Sequence, residues 1–206
     1  QIDDNVAFNN PEVNVSLIAP VAGQPNVNYS VTTILNVDTT YFWRVAANDS
    51  VGYGAFSGVG NFTIDSYLAV SLLTDAVAFG SVDAGGNYST IGGSPGPFRI
   101  ENTGNIFFNA TINATPFFTA VPMNSTYYRF KVRENSTELG SIDTALSYTE
   151  LISMNYTSSV FHAVELNWRD ITDEFLTDIN ISVPTNESAE AKTSVISFLI
   201  TGSGIG

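Results

Sequence analysis

Along most of this chain apolar residues recur at every second position, and no stretch keeps a helical spacing for more than a couple of turns. A period of two belongs to a strand with one buried face, because successive side chains of a strand point to opposite sides. In Ile106-Phe107-Phe108-Asn109-Ala110-Thr111-Ile112-Asn113, the residues Ile106, Phe108, Ala110 and Ile112 fall on one face. Asn109, Thr111 and Asn113 fall on the other. Strands are predicted over 41–47, 61–64, 67–72, 77–79, 98–100, 106–114, 127–132, 161–168, 178–183 and 194–201. Turn residues separate them at Gly52-Tyr53-Gly54, Gly85-Gly86-Asn87, Gly92-Gly93-Ser94-Pro95-Gly96-Pro97, Asn102-Thr103-Gly104-Asn105 and Pro184-Thr185-Asn186. Many short strands punctuated in this way predict an all-β chain built of β-sandwiches. A single short helical turn is expected over 170–176. A boundary near Asp65-Ser66 divides the chain into domains 1–65 and 66–206.

The same alternation gives meaning to a second pattern. Asn followed two residues later by Ser or Thr, without an intervening Pro, accepts N-linked glycans. It occurs at Asn14, Asn28, Asn48, Asn61, Asn87, Asn109, Asn113, Asn124, Asn135, Asn155, Asn180 and Asn186, twelve of the twenty asparagines. Chance placement would give about four. The acceptors at Val13-Asn14-Val15-Ser16-Leu17, Asn61-Phe62-Thr63-Ile64 and Ile179-Asn180-Ile181 keep the phase seen at Asn109 and Asn113, so all are expected to point away from the core. A glycan cannot enter a packed interior, and this phase therefore predicts a glycoprotein of the cell exterior.

Composition bounds the function classes. With 44% hydrophobic residues among 206 the chain can bury a core, while only 13% are charged. The net charge of −13 rests on seven Lys and Arg, a balance opposed to binding nucleic acid or an anionic membrane surface. There is no cysteine, which excludes thiol catalysis and Cys-ligated zinc. No run of eighteen apolar residues marks a membrane-spanning helix. Gln1 opens a polar segment, so a secretion signal is expected to have been removed or to lie outside this sequence.

Catalytic motifs find no foothold. His162 is the one histidine, and alternation groups it with Val160, Val164, Leu166 and Trp168 on a core face, where a satisfied buried imidazole is expected. No nucleophile elbow, phosphate loop or dinucleotide fingerprint occurs, so no enzymatic activity and no cofactor are expected. Asp170, Asp173, Glu174 and Asp178 share one turn-rich segment and are the candidate ligands for calcium, without the EF-hand spacing; Asp3 and Asp4 form a smaller pair. Arg129, Lys131 and Arg133 make a basic stripe, with Tyr128, Phe130 and Val132 turned inward. That stripe either docks an acidic face of a neighbouring subunit or protects a strand edge. Of the paired aromatics, Phe107, Phe118 and Tyr127 are expected to face outward.

From Leu35 the chain runs through Tyr41-Phe42-Trp43-Arg44-Val45-Ala46-Ala47 to Gly52-Tyr53-Gly54, Ser57 and Phe62-Thr63-Ile64. These residues resemble the second half of a fibronectin type III domain. The resemblance implies that Leu35 and Tyr41 form a tyrosine corner, the phenol bonding back to the backbone. It implies too that Tyr41, Trp43, Val45 and Ala47 face inward while Arg44 faces out. The first two strands of such a domain have no counterpart in residues 1–65. They are expected either from a longer polypeptide or from a neighbouring subunit that donates a strand. Residues 66–206 carry Phe79-Gly80-Ser81-Val82-Asp83-Ala84-Gly85-Gly86, Asn102-Thr103-Gly104 and a closing apolar strand. This layout resembles β-sandwich repeats of archaeal surface proteins and, more distantly, the jelly-roll subunits of TasA-type fibres and archaeal bundling pili.

The expected architecture is thus a fibronectin type III-like sandwich followed by a larger jelly-roll or Ig-like sandwich. The expected role is a structural subunit of an N-glycosylated extracellular filament or surface layer, with copies of itself and covalent glycans as partners. An archaeal cell surface is the most economical home. An adhesive or carbohydrate-binding module is the alternative, and a viral tail or capsid component shares the architecture.

Overall fold

The structure, a computed structural model, describes residues 1–16, 18, 28–48 and 51–203. Leu17 of the first acceptor strand and Ser50 of the Asn48 acceptor motif lie outside the described residues. Among those described, every regular element is a strand, and no helix is long and apolar enough to cross a membrane. The chain separates into two compact units, Gln1–Ser66 and Tyr67–Gly206.

In the first unit β1 (Ile2–Asp3), β2 (Thr39–Trp43) and β5 (Gly60–Ile64) form an antiparallel sheet in the order β1-β2-β5. A hairpin of β3 (Ala46–Asn48) and β4 (Tyr53–Phe56) stands beside it. Tyr41 is buried, stacks on Phe62 at 5.8 Å, and its phenol oxygen accepts the Asn36 N–H at 2.8 Å. Inward alternation stops there. Trp43 and Val45 are exposed, whereas Arg44 is held between the rings of Phe8 and Phe56, 4.0 and 4.1 Å from their centroids. Its Nε donates to Gln1 Oε1 at 2.7 Å. The break between β2 and β3 inverts the expected arrangement because a guanidinium sandwiched by two aromatic faces is well placed by its stem and its charge together.

The second unit is a two-layer sandwich. One sheet runs β11 (Ile152–Ser153), β10 (Tyr128–Glu134), β13 (Glu174–Ser182), β8 (Phe98–Asn102), β6 (Val70–Thr74), and β7 (Asn87–Ser89) pairs with the far end of β13. The facing sheet has only β12 (Ala163–Leu166), β9 (Phe108–Ala114) and β14 (Ile196–Gly202). Between them Ile100, Phe108, Ile112, Phe130, Val132, Phe175 and Ile181 are fully or almost fully buried. Phe198 of β14 meets Phe98 of β8 at 5.9 Å and Phe175 of β13 at 6.5 Å, which sets β14 above β8 and β13.

Several expectations are corrected here. The segment 170–176 is a turn leading into β13, with Ile171 at φ 74°, and contains no helical turn. The glycine-flanked Tyr53 begins a strand, and β7 starts at Asn87, directly after Gly85-Gly86. The segment 77–79 forms no strand, although Val77 and Phe79 pack against the core. Phe118 is buried, with Phe117 half-buried against Tyr128, so Phe118 is not an outward aromatic.

A second phenol repeats the arrangement of Tyr41. Tyr88 accepts the Asp83 N–H at 2.8 Å, again from the residue five positions earlier, and fixes the turn before β7. Each bond closes a short loop. Replacing either Tyr41 or Tyr88 by Phe removes one acceptor and is expected to lower unfolding stability by about 1 kcal/mol, measured by urea titration.

Candidate functional site

All of β13 except its last residue is buried, on both faces. Its inner residues Phe175, Ile179 and Ile181 enter the core. Its outer residues Glu174, Asp178 and Asn180 are polar, and each meets an arginine. Arg99 Nη2 lies 2.5 Å from Glu174 Oε1, and its Nε is 3.3 Å from Oε2. Arg133 Nε lies 2.7 Å from Asp178 Oδ2, whose side chain is 0% exposed. Arg129 Nη2 donates to Asn180 Oδ1 at 2.8 Å. Strand pairing dictates the match, since Arg129 is opposite Asn180 and Arg133 is opposite Leu176, one diagonal step from Asp178.

Thr90 completes the ladder from the other side. Its hydroxyl donates to Asp178 Oδ1 at 2.9 Å and accepts the Ile179 N–H at 2.9 Å. Asn135 Nδ2 donates to Glu174 Oε2 at 2.8 Å.

The carboxylates expected to gather around calcium are therefore divided. Glu174 and Asp178 stand four residues apart on one strand, each spoken for by an arginine, while Asp170 is exposed in the preceding turn. Burial and the negative charge of Glu101 raise the carboxyl of half-buried Asp173. The basic stripe is consumed by the same network. Arg129 and Arg133 face Asn180 and Asp178 within their own sheet, and of the three only Arg133 makes an ion pair among the described residues. Two motifs that looked separate in sequence are the two halves of one structural device.

In the first unit the carboxylates of Asp3, Asp4 and Glu12 lie within 4.8 Å of one another. Asp3 is buried and accepts the N–H groups of Asn5 and Asn10 at 2.9 and 3.3 Å; Glu12 accepts the Asp4 N–H at 3.1 Å. Glu12 beside it pushes the Asp4 carboxyl up. These bonds hold the turn that follows β1.

His162 is buried, its Nδ1 accepts the Ile112 N–H at 2.8 Å, and its ring meets Phe130 and Tyr148 edge-on. Burial lowers its pKa to about 4. The imidazole thus serves as a fixed acceptor for a strand amide. A bulge at Ala163–Leu166, with Glu165 at φ 54°, breaks the expected alternation, although Leu166 keeps its expected burial. Ala163 and Leu166 are buried, Val164 is half-buried and Val160 is exposed.

The glycan acceptors divide by burial. Asn14, Asn28, Asn48, Asn61, Asn87, Asn124, Asn155 and Asn186 are exposed; Asn109, Asn113 and Asn135 are half-buried. Asn180 departs from the expected phase, being only 5% exposed. Its Nδ2, the atom a glycan would occupy, donates to Asn87 Oδ1 and Tyr88 O at 2.9 and 3.3 Å. The outer face of β13 is covered by the arginine ladder, and β7 flanks its far end within the sheet, which alternation alone does not reveal.

A clamp and a cavity were not legible beforehand. Glu187 accepts from Thr119 N and Oγ1, from Ala120 N at 2.9 Å, and from Lys192 Nζ at 2.7 Å. The Lys192 ammonium holds its carboxyl down to about 2. Under this strap lies an apolar cavity of about 750 Å³, bordered by Val77, Phe79, Phe98, Ile179 and Ile196. Comparison with protein-family models and with curated proteins returned no match.

Removing Arg133 leaves the Asp178 carboxylate buried without its counter-charge. Arg133→Met is expected to cost about 3 kcal/mol in denaturant unfolding, while Arg133→Met with Asp178→Leu recovers most of that loss. His162 supplies a pH signature. Its folded pKa lies below the ordinary value of 6.5, so the unfolded chain binds the proton first and stability falls as pH drops from about 6.5 towards 4. His162→Gln is expected to flatten that part of the stability–pH curve, by up to ~3 kcal/mol.

Proposed function

We propose that this chain is a structural subunit of an extracellular, N-glycosylated filament or surface layer of archaeal kind, assembling through contacts between β-sandwiches. The observation that carries this reading is the placement of the acceptor asparagines. Eight are exposed, they occur in both units, and they are borne on a disulfide-free strand scaffold. Glycans at such positions would hydrate the faces they stand on, shield them from proteases and restrict contact to the surfaces left bare.

The first unit supports the assembly part of the reading. Trp43, Val45, Tyr53, Phe56 and Val59 are exposed around its sheet and hairpin. A strand supplied by a neighbour, joining an edge of that sheet, would cover part of this surface and satisfy open backbone groups. A non-enzymatic role agrees with the chemistry at hand. The one imidazole is buried and already bonded, and the outer carboxylates of β13 are neutralised by arginines.

Cryo-electron microscopy of native material tests the proposal. The expected result is an ordered polymer, with branched density at the exposed acceptor asparagines and a neighbour's strand against the first unit. Isolated particles with bare asparagines would overturn it, and polysaccharide affinity in those particles would favour an adhesive module.

A further inference from the structure

The first unit has little interior of its own. Of its described apolar side chains only Phe8, Val13 and Tyr41 are buried, against nineteen in the second unit. A unit with so small a core usually needs a staple, and with no cysteine in the chain that staple is not a disulfide.

Its acceptor asparagines are also placed differently from those of the second unit. Each one borne on a strand stands directly across the ladder from an aromatic ring. Asn61 of β5 is paired with Phe42 of β2, and Asn48 of β3 with Tyr53 of β4. In the second unit Asn87 faces Ser182, Asn109 faces Thr201, Asn113 faces Ser197, and Asn180 sits between Ser89 and Arg129.

The Asn61 pair is of the close kind. Gln1 N donates to Arg44 O and Arg44 N to Gln1 O, so Arg44 turns its backbone towards β1. Phe42, two residues earlier, does the same. Towards β5 the Phe42–Asn61 pair is therefore non-hydrogen-bonded, the arrangement that brings side chains nearest, with Cβ atoms about 5 Å apart. Both side chains lie on the sheet face opposite Tyr41 and Trp43. Phe42 is half-buried and Asn61 exposed, and among the described residues no strand flanks β5 on its other side. Across β2 from Asn61, Asp3 is buried beneath the turn after β1, bonded to Asn5 N and Asn10 N. On the next rung Thr63, the hydroxyl residue of the same acceptor motif, bonds the Thr40 hydroxyl at 2.8 Å and holds the register.

A sugar ring suits such a seat. One side of a pyranose presents C–H groups of slight positive charge, the face of a phenyl ring is negative, and stacking them removes apolar surface from water. We propose that the first sugar on Asn61 packs on the ring of Phe42, and that on Asn48 on the ring of Tyr53, so that glycans complete the fold of the first unit. This deepens the glycoprotein reading above and rests on it.

The full chain, secreted from a eukaryotic host and trimmed with endoglycosidase H to one N-acetylglucosamine at each occupied site, supplies the probe. Of the two tryptophans, Trp43 lies so close over Gly60 of β5 that a Cβ there would strike its indole, so in a Trp168→Phe background its emission reports the β2–β5 pairing. In urea titration the folded-to-unfolded ratio is expected to be about fivefold higher with the Asn61 sugar than in Asn61→Gln. In Phe42→Leu that gain is expected to fall below about twofold, and in Phe42→Tyr to return. Without any change to the ring, proton NMR is expected to show the Asn61 sugar shifted upfield of the sugar at exposed Asn124, because a ring face shields what lies on it. Equal gain in wild type and Phe42→Leu, with unshifted Asn61 sugar protons, would overturn the packing and leave the glycoprotein reading standing. Asparagines bare throughout the native protein would overturn both.

Discussion

The burial of Asp178 is the constraint on which the second unit turns. A carboxylate taken out of water is tolerated only when its charge is met and its lone pairs are filled. Arg133 and the Thr90 hydroxyl do both, from β10 on one side and from the segment after β7 on the other. Because Thr90 also receives the Ile179 N–H, the same side chain ties β13 to the turn that ends β7. Arg99 with Glu174 and Arg129 with Asn180 repeat the device at either end of the strand. The central strand is thereby fixed in register by polar groups outside and by Phe175, Ile179 and Ile181 inside.

That arrangement settles what the surface has left to offer. Basic side chains are scarce, and three of the seven are spent on the outer face of β13. Lys192 is engaged with Glu187 and Glu190, and Arg44 lies between Phe8 and Phe56. What faces outward is an acidic, asparagine-rich surface interrupted by the charge-free strands β9 and β14. On such a molecule recognition falls to shape, backbone edges and attached sugars more than to ion pairs.

Much of this was written in the alternation, and the misses have physical causes. The strands at 61–64, 98–100, 106–114 and 194–201 follow from period two, and their apolar phase is the buried phase. The bonded phenol of Tyr41 was expected only from the family resemblance carried by Leu35 and Tyr41. Asn180 was misplaced because alternation tells which side of a strand a residue occupies, and not whether a second layer of side chains covers that side. The acidic cluster was misjudged for a related reason. Its partner arginines come from β8 and β10, distant in sequence, and only the pairing register brings Arg133 to Asp178. His162 was rightly expected to be buried together with Leu166, but a bulge between them brings Ala163 into the core as well. The Glu187 clamp leaves no local signal, since its donors Thr119 and Ala120 are almost seventy residues away.

Site-resolved glycopeptide mass spectrometry on the native protein tests the central claim most directly, because exposure decides which asparagines can carry sugar. The account predicts glycans at exposed positions such as Asn61, Asn87, Asn124 and Asn186, with Asn180 bare. Bare asparagines throughout, or full occupancy at Asn180 in the folded protein, would contradict it.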